Sequence, residues 1–417
     1  MPISMSAETD KFQSRSSESI FFKVADLAAT VTENIDRHID IERSKFEYVN
    51  LNRFTHFREI GRAEGNLLKI QLNLPHFEEF TGVAKPKIFV IGTPENEAVS
   101  LGRLALDDND ELSFQLSRFH YGHAALEDMS IGMNQALYVG EIGDLFTLNN
   151  PEKDSFIIHI TREGPMIRFE SSLYNFLRKD IPYTSAHSKH VKVEDPSNKF
   201  GRVADVCDIN FEGLIPSEAR LITICDNTAS GMQHVAVLDK TIEYIEKNNG
   251  KHDIKTLLII SPLLTAYGAT TISYAAASYG IRTVFACSGH LLGCIGPERY
   301  YSPILNNENL SASPQLLNVN SFIHHGHTEE RCARGNWTST FSAKDYALLT
   351  SDNELGRLGT SNAELMAQGS RIGPSALKDM NINPLDLIPY STLDEARERG
   401  ILKSLSHKVA TDFWAIL

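Results

Sequence analysis

The chain has 417 residues, of which 42% are hydrophobic and 22% charged, enough material for two or three domains with a sizeable core. A formal net charge of −13 argues against a general nucleic-acid binder, which needs a concentrated basic surface, yet leaves room for a small anion held by local donors. Cys207, Cys225, Cys287, Cys294 and Cys332 are odd in number and lack paired zinc spacing, so reduced thiols in a cytoplasmic protein are expected. No apolar run reaches the length of a membrane span, and no membrane partner is expected.

Residues 1–19 are polar and rich in Ser, without the apolar core of a secretory signal, and read as a mobile tail. Residues 20–145 mix helical patterns with one strand candidate, Lys87–Gly92. Within them His120, His123 and Glu127 share one helix face by spacing, but a single helix cannot complete a metal site. The region 146–295 alternates strands and helices. Phe156–Thr161 reads as a buried strand, Arg162-Glu163-Gly164-Pro165 as a turn, and Met166–Leu177 as a helix. Ser185–Arg202 carries His187, Lys189, His190 and Lys192 among turn residues, a positive segment that is either a closing loop or a solvated hairpin.

Leu221-Ile-Thr-Ile224 is the next buried strand. Asp226 follows, then the small-residue turn Thr228-Ala229-Ser230-Gly231, then a helical pattern over His234–Ile245. Lys255–Ser261 and Arg282–Cys287 read as further strands around an Ala-rich helix, Thr270–Tyr279. Residues 296–417 open loop-like and end in helical patterns. Their His324-His325-Gly326-His327 cluster has metal-ligand types, but a loop of hydrogen-bonded histidines is the plainer reading, and no metal site is assigned. Strands alternating with helices predict an α/β fold: a parallel sheet flanked by helices, with additional N- and C-terminal regions.

Strand, small-residue turn and helix is a geometry that holds phosphate. Turn and helix N-terminal amides converge on the anion, and Gly permits close approach. An ordinary strand–helix turn with a capping Ser gives the same residues. Arg162 offers a forked set of donors suited to pyrophosphate oxygens, and Gly164 tolerates unusual dihedrals.

Cys225-Asp226-Asn227-Thr228-Ala229-Ser230-Gly231-Met232-Gln233 resembles, without a gap, the phosphoribosyl-pyrophosphate (PRPP) loop of type I phosphoribosyltransferases. There, two acidic residues precede a variable pair and Ala-Thr-Gly-x-Thr. Cys225 replaces the first acid, Met232 a usual Gly, and Gln233 a usual hydroxyl residue. Arg162-Glu163-Gly164 resembles the family's pyrophosphate turn, loosely that of uracil-type members. The resemblance covers about residues 156–292. It implies transfer of 5-phosphoribosyl from PRPP to a nitrogenous base, with Asp226 at the ribose hydroxyls, residues 227–233 around the 5-phosphate, and Arg162, Glu163 and Gly164 at pyrophosphate. It implies Mg²⁺ arriving with PRPP, Lys189 and Lys192 on a mobile loop, a homodimer, and a base-covering hood from either flanking region. Two alternatives stay open: a PRPP- or nucleotide-sensing regulator without turnover, and an unrelated α/β enzyme whose phosphate loop converged on this form.

Overall fold

The computed structural model describes residues 17–51, 60–96, 104–106, 112–114, 129–147, 150–161, 164–192, 202–212, 214–216, 218–292 and 310–312. The chain runs through α1 (Ser17–Glu33), β1 (Ile39–Leu51), β2 (Ile60–Leu72), β3 (Lys87–Gly92), β4 (Leu104–Leu106), β5 (Leu112–Phe114) and α2 (Gly140–Thr147). It continues through β6 (Ser155–Thr161), α3 (Phe169–Leu177), β7 (Tyr183–Lys192), β8 (Arg202–Ile209), β9 (Leu221–Cys225) and α4 (Met232–Asn249). It then forms β10 (Thr256–Ile260), β11 (Leu264–Thr265), α5 (Ala266–Ser278), β12 (Arg282–Ser288) and β13 (Leu291–Leu292).

Nine strands make one sheet in the order β1-β2-β3-β12-β10-β9-β6-β7-β8. The six from β3 to β7 in that order are parallel. β1, β2 and β8 run antiparallel at the two edges, so the sheet expected to be parallel is mixed. Helices lie on both faces, and each face has its own core. One gathers Ile158, Ile224, Leu257 and Phe285 against Val235, Leu238 and Ile242 of α4 and Ile272 of α5. The other gathers Ile157, Leu258, Ile260 and Ala286 against Phe146, Phe169 and Leu173. Central strands covered on both faces need apolar residues at every position, and each buried Leu, Ile or Phe contributes about 1.5–3 kcal/mol. That is why they read as continuous runs.

The regions 20–145 and 146–295, separated in the sequence reading, share this sheet, because β3 pairs with β12. β1 and β2 lie in the region where the sequence offered Lys87–Gly92 as its one strand candidate, for a physical reason. Ile39 and Ile41 pack against one core and Phe46 and Tyr48 against the other, so the apolar phase slips midway along β1. α1 begins at Ser17, so the last three residues of the segment read as a tail are helical. The run Met166–Leu177 is not one helix: Gly164–Ile167 forms a turn, and Arg168, at φ 53°, breaks the path before α3. α5 starts at Ala266, earlier than predicted, where the Thr265 side chain accepts the Gly268 amide. No helix among the described residues is long and apolar enough to cross a membrane.

Past the carboxyl ends of the parallel strands, the connections make a small second layer. β11 pairs with β13, and Thr228 bridges to Leu264. His290 bridges to Ser311 from the far side, Ala312 N–H donates to the Gly289 carbonyl at 2.9 Å, and Arg43 donates to the Ser311 carbonyl at 2.8 Å. Two histidines are sealed in this layer. Burial pulls His234 from 6.5 down to about 3, against an opposing backbone hydrogen bond at Asp226, and pulls His290 down to about 4. Among the described residues neither ring nitrogen of His290 has a hydrogen-bond partner.

Both rings are therefore neutral when folded and gain a proton on unfolding once the pH is below their ordinary 6.5. Their stabilisation is full above that value and is lost as pH falls toward about 4 and 3. From pH 7 to pH 5 each should cost the fold about 2 kcal/mol. Urea denaturation of His290→Leu at the two pH values should show a loss smaller by about that amount than in the parent. An equal loss in both proteins would show that His290 is not sealed.

Candidate functional site

Two turns meet at the carboxyl ends of β6 and β9, neighbouring parallel strands whose register sets His159 opposite Cys225. Gly164 follows β6, and a Cβ placed on it would overlap the Cys225 carbonyl oxygen and press on the His159 backbone. Glycine is required there because backbone meets backbone. Thus the structure brings Gly164 and the Cys225–Gln233 segment together. Arg162 and Glu163 lie outside the described residues.

The second turn is held from beneath by the end of β10. Asp226 N–H donates to the Ile260 carbonyl at 3.1 Å, Thr228 N–H to Leu263 at 2.8 Å, and Leu263 N–H to Asn227 Oδ1 at 3.2 Å. Thr265 N–H returns to the Thr228 carbonyl at 3.1 Å, and its hydroxyl donates to Ala229. Thr228 Oγ1 sits 3.0 Å from Ser261 Oγ and 3.2 Å from His234 Nε2, a buried polar chain that ties the turn to the first helical turn behind it. Gly231 then turns into α4 at φ 79°, a left-handed conformation that favours glycine. The first bond inside that helix is Val235 N–H to the Gly231 carbonyl at 3.0 Å. The amides ahead of it have no acceptor within the helix, and that of Met232 donates to the Ser230 hydroxyl at 3.4 Å. A rigid turn presenting amides at a helix N-terminus can bind an anion.

The departures from the resembled pattern have structural reasons. Cys225 is fully buried in the core under α3, and burial, with the Glu170 and Asp226 carboxylates adding, pushes its thiol well above its ordinary value. It is an apolar filler, inert as a nucleophile. Met232 packs with Ala28 of α1 and Tyr267 of α5, beside Val203 and Ala204 of β8. Gln233 donates to Ser188 of β7 at 2.8 Å and joins the turn to the neighbouring hairpin. Asp226, Asn227 and Ser230 are all buried.

Lys189 and Lys192, expected on a mobile loop, stand on strand β7, paired in register with Asp205 and Arg202 of β8. Buried and exposed positions alternate along β7 only as far as Ser188, and Lys189 to Lys192 are exposed throughout. Lys189 makes an exposed contact with Asp205 at 3.7 Å. Residues 193–201, His120, His123, Glu127 and the His324, His325 and His327 cluster lie outside the described residues. Among the described residues no group of three or more His, Cys, Asp or Glu side chains is placed to hold a metal.

Sequence reading missed His159 and Glu170. His159 Nδ1 lies 3.0 Å from the Gly164 carbonyl, and its Nε2 lies 2.8 Å from Glu170 Oε2. The signal was present, since His159 is an ionisable residue in an otherwise apolar strand buried on both faces. Burial alone would raise the Glu170 carboxyl, but the His159 contact and charge outweigh it and leave the group below its ordinary value.

Adding a methyl at Gly164 tests the meeting of the two turns. Gly164→Ala should destabilise the fold by about 1–3 kcal/mol, because backbone must move to admit it. Gly140→Ala, where nothing lies within 4 Å of the added carbon, is the control in the same urea titration. Equal midpoints for the two variants would mean that the turns do not touch.

No protein-family model matches the sequence, and no characterised protein matches it. Solved structures that align with it include adenine phosphoribosyl transferase from Trypanosoma brucei, in complex with AMP, pyrophosphate and ribose-5-phosphate. That alignment is 12% identical, covers 48% of this chain and 83% of the other, and has a TM-score of 0.28. Orotate phosphoribosyltransferase from Francisella tularensis aligns at 10% identity over 45% of this chain and 76% of the other, with a TM-score of 0.23. At such TM-scores neither superposition bears on function, which is left to the geometry of the two turns.

Proposed function

We propose that this chain binds PRPP at the carboxyl edge of its sheet and transfers the 5-phosphoribosyl group to a nitrogenous heterocycle, releasing pyrophosphate. The observation that carries the reading is the contact of Gly164 with the Cys225 carbonyl. Neighbouring strands lie roughly 4.8 Å apart, so the ends of β6 and β9 are close enough for one ligand to reach both turns, with Asp226 directly after β9.

In this reading the turn amides of residues 228–233 and the Ser230 hydroxyl hold the 5-phosphate, and Asp226 accepts from the ribose hydroxyls. Arg162, with Glu163 and Gly164, meets the pyrophosphate as it leaves. Mg²⁺ would enter with PRPP, held mainly by its oxygens and water, with Asp226 as the carboxylate of the turn. When bound, the ion offsets pyrophosphate charge. Asp226, 3% exposed, sits where a carboxylate can face a ribose whose anomeric carbon turns cationic. The segment 310–312 reaches the same edge from the C-terminal region, beside β12, and supports that region as the source of a cover for the base.

A second reading, a PRPP or nucleotide sensor without turnover, draws support from Cys225 and Met232. They fill an acidic and a glycine position with buried apolar side chains.

Ser230→Asp should abolish PRPP binding measured by calorimetry, because a carboxylate in the turn repels the phosphate. Unchanged affinity in a folded variant would remove the turn from the site. Arg162→Ala should lower single-turnover pyrophosphate release by about 100-fold, more than it weakens PRPP binding, with partial recovery in Arg162→Lys. If the parent binds PRPP tightly and no base yields pyrophosphate, the sensor reading stands and the transferase reading falls.

A further inference from the structure

We infer that Gln233 and Met232 are positioning residues that clasp the β7–β8 ribbon to the phosphate turn, so that the ribbon stands as a fixed wall of the site, steadied by an anion at the turn; this coupling to the anion rests on the function proposed above.

The ribbon needs a clasp. β6 accompanies β7 only as far as Thr161, opposite His187. Beyond that register β8 is the one strand beside β7 among the described residues, from Ser188 opposite Val206 to Lys192 opposite Arg202. A two-stranded ribbon is marginally stable in water unless one face packs on something else. The buried positions of β7 are Thr184, Ala186 and Ser188. Ser188 is thus the last inward residue of β7, and it is the one that Gln233 meets.

Both strands of the ribbon are held, by consecutive residues at the start of α4. Gln233 Nε2 donates to Ser188 Oγ of β7 at 2.8 Å. Met232 packs with Ala28 of α1 and Tyr267 of α5, and Val203 and Ala204 of β8 pack against that group together with Ala229 of the turn. Val203 and Ala204 stand opposite Val191 and His190, on the stretch that has left β6 behind. A glycine and a hydroxyl residue, usual at these two positions in the resembled loop, could not make the contacts. Glycine has no side chain, and a hydroxyl residue lacks the reach of Gln.

The turn at the other end of the clasp is rigid. Gly231 enters α4 at φ 79°, and a Cβ on Gly268 of α5 would overlap the Ala229 carbonyl oxygen. What is tied to Met232 and Gln233 is therefore tied to the turn. An anion that gathers the amides of residues 228–233 steadies the ribbon through the same two residues, and by reciprocity the clasped ribbon raises affinity for the anion.

Ser188→Ala removes the acceptor without touching the turn, whereas Ser188→Thr keeps a hydroxyl in a residue that suits a strand. Hydrogen exchange on the full chain would follow the amides of residues 188–192 and 202–206, with those of α4 as the internal reference. Without ligand, the ribbon of Ser188→Ala should exchange about five- to tenfold faster than the parent's, the effect of one lost hydrogen bond, and Ser188→Thr should stay within about twofold. Gln233→Ala should match Ser188→Ala, and the double variant should add nothing further. Saturating ribose 5-phosphate should slow ribbon exchange in the parent and in Ser188→Thr but much less in Ser188→Ala, which should bind it about threefold more weakly by calorimetry. Equal ribbon exchange in parent and Ser188→Ala, equal acceleration in α4, or additive single effects would overturn the clasp. Equal slowing by ribose 5-phosphate in parent and Ser188→Ala would overturn the coupling. A parent that does not bind ribose 5-phosphate, with the ligand-free ranking as expected, would instead overturn the proposed function and leave the clasp standing.

Discussion

A glycine that must stay a glycine sets the geometry of the whole carboxyl edge. Gly164 lies against the carbonyl of Cys225 with no room for a side chain, so the turns after β6 and β9 are coupled backbone to backbone. Side chains cannot transmit position so directly, because each adds rotatable bonds between the parts it joins. From that contact the other constraints follow in order. Asp226 is fixed by the Ile260 carbonyl, Thr228 by Leu263, and the helix start by Gly231, so one rigid frame runs from β6 across to β10.

The frame is affordable because the strands under it are buried on both faces. A sheet edge carrying irregular backbone has to satisfy its amides and carbonyls away from water. Here the connections satisfy one another in the small upper layer, with Ser261, Thr265, Thr228 and His234 as the side-chain partners. The histidines are kept neutral by the burial that makes the layer rigid. Two buried or part-buried carboxylates stand at this edge: Asp226 in the turn after β9, and Glu170, whose Oε2 lies 2.8 Å from His159 Nε2.

The central strands were legible in the sequence because two-sided burial writes itself as an unbroken apolar run, as in Phe156–Ile158 and Leu257–Ile260. The turn after β9 was legible because small residues and a glycine fall between such a run and a helical period. β1 and β2 were not, since their apolar positions change face partway along and neither period survives. The β7–β8 hairpin hid for a related reason: its outward positions are lysines and histidines, which a loop would carry as readily. His159 and Glu170 come together only because Arg168 breaks the helical path and returns α3 beneath the turn. No local pattern encodes a contact made by such a break.

Those distinctions bear on how the site tolerates change. A turn whose amides and carbonyls are fixed by backbone contacts leaves its side chains to pack, and Cys225 and Met232 are both buried. Sensitivity then falls on the residues that fix the backbone, Gly164 against the Cys225 carbonyl and Gly231 at its left-handed φ. Substitutions that alter only the lining of the turn should be mild, and those that rotate a peptide plane severe.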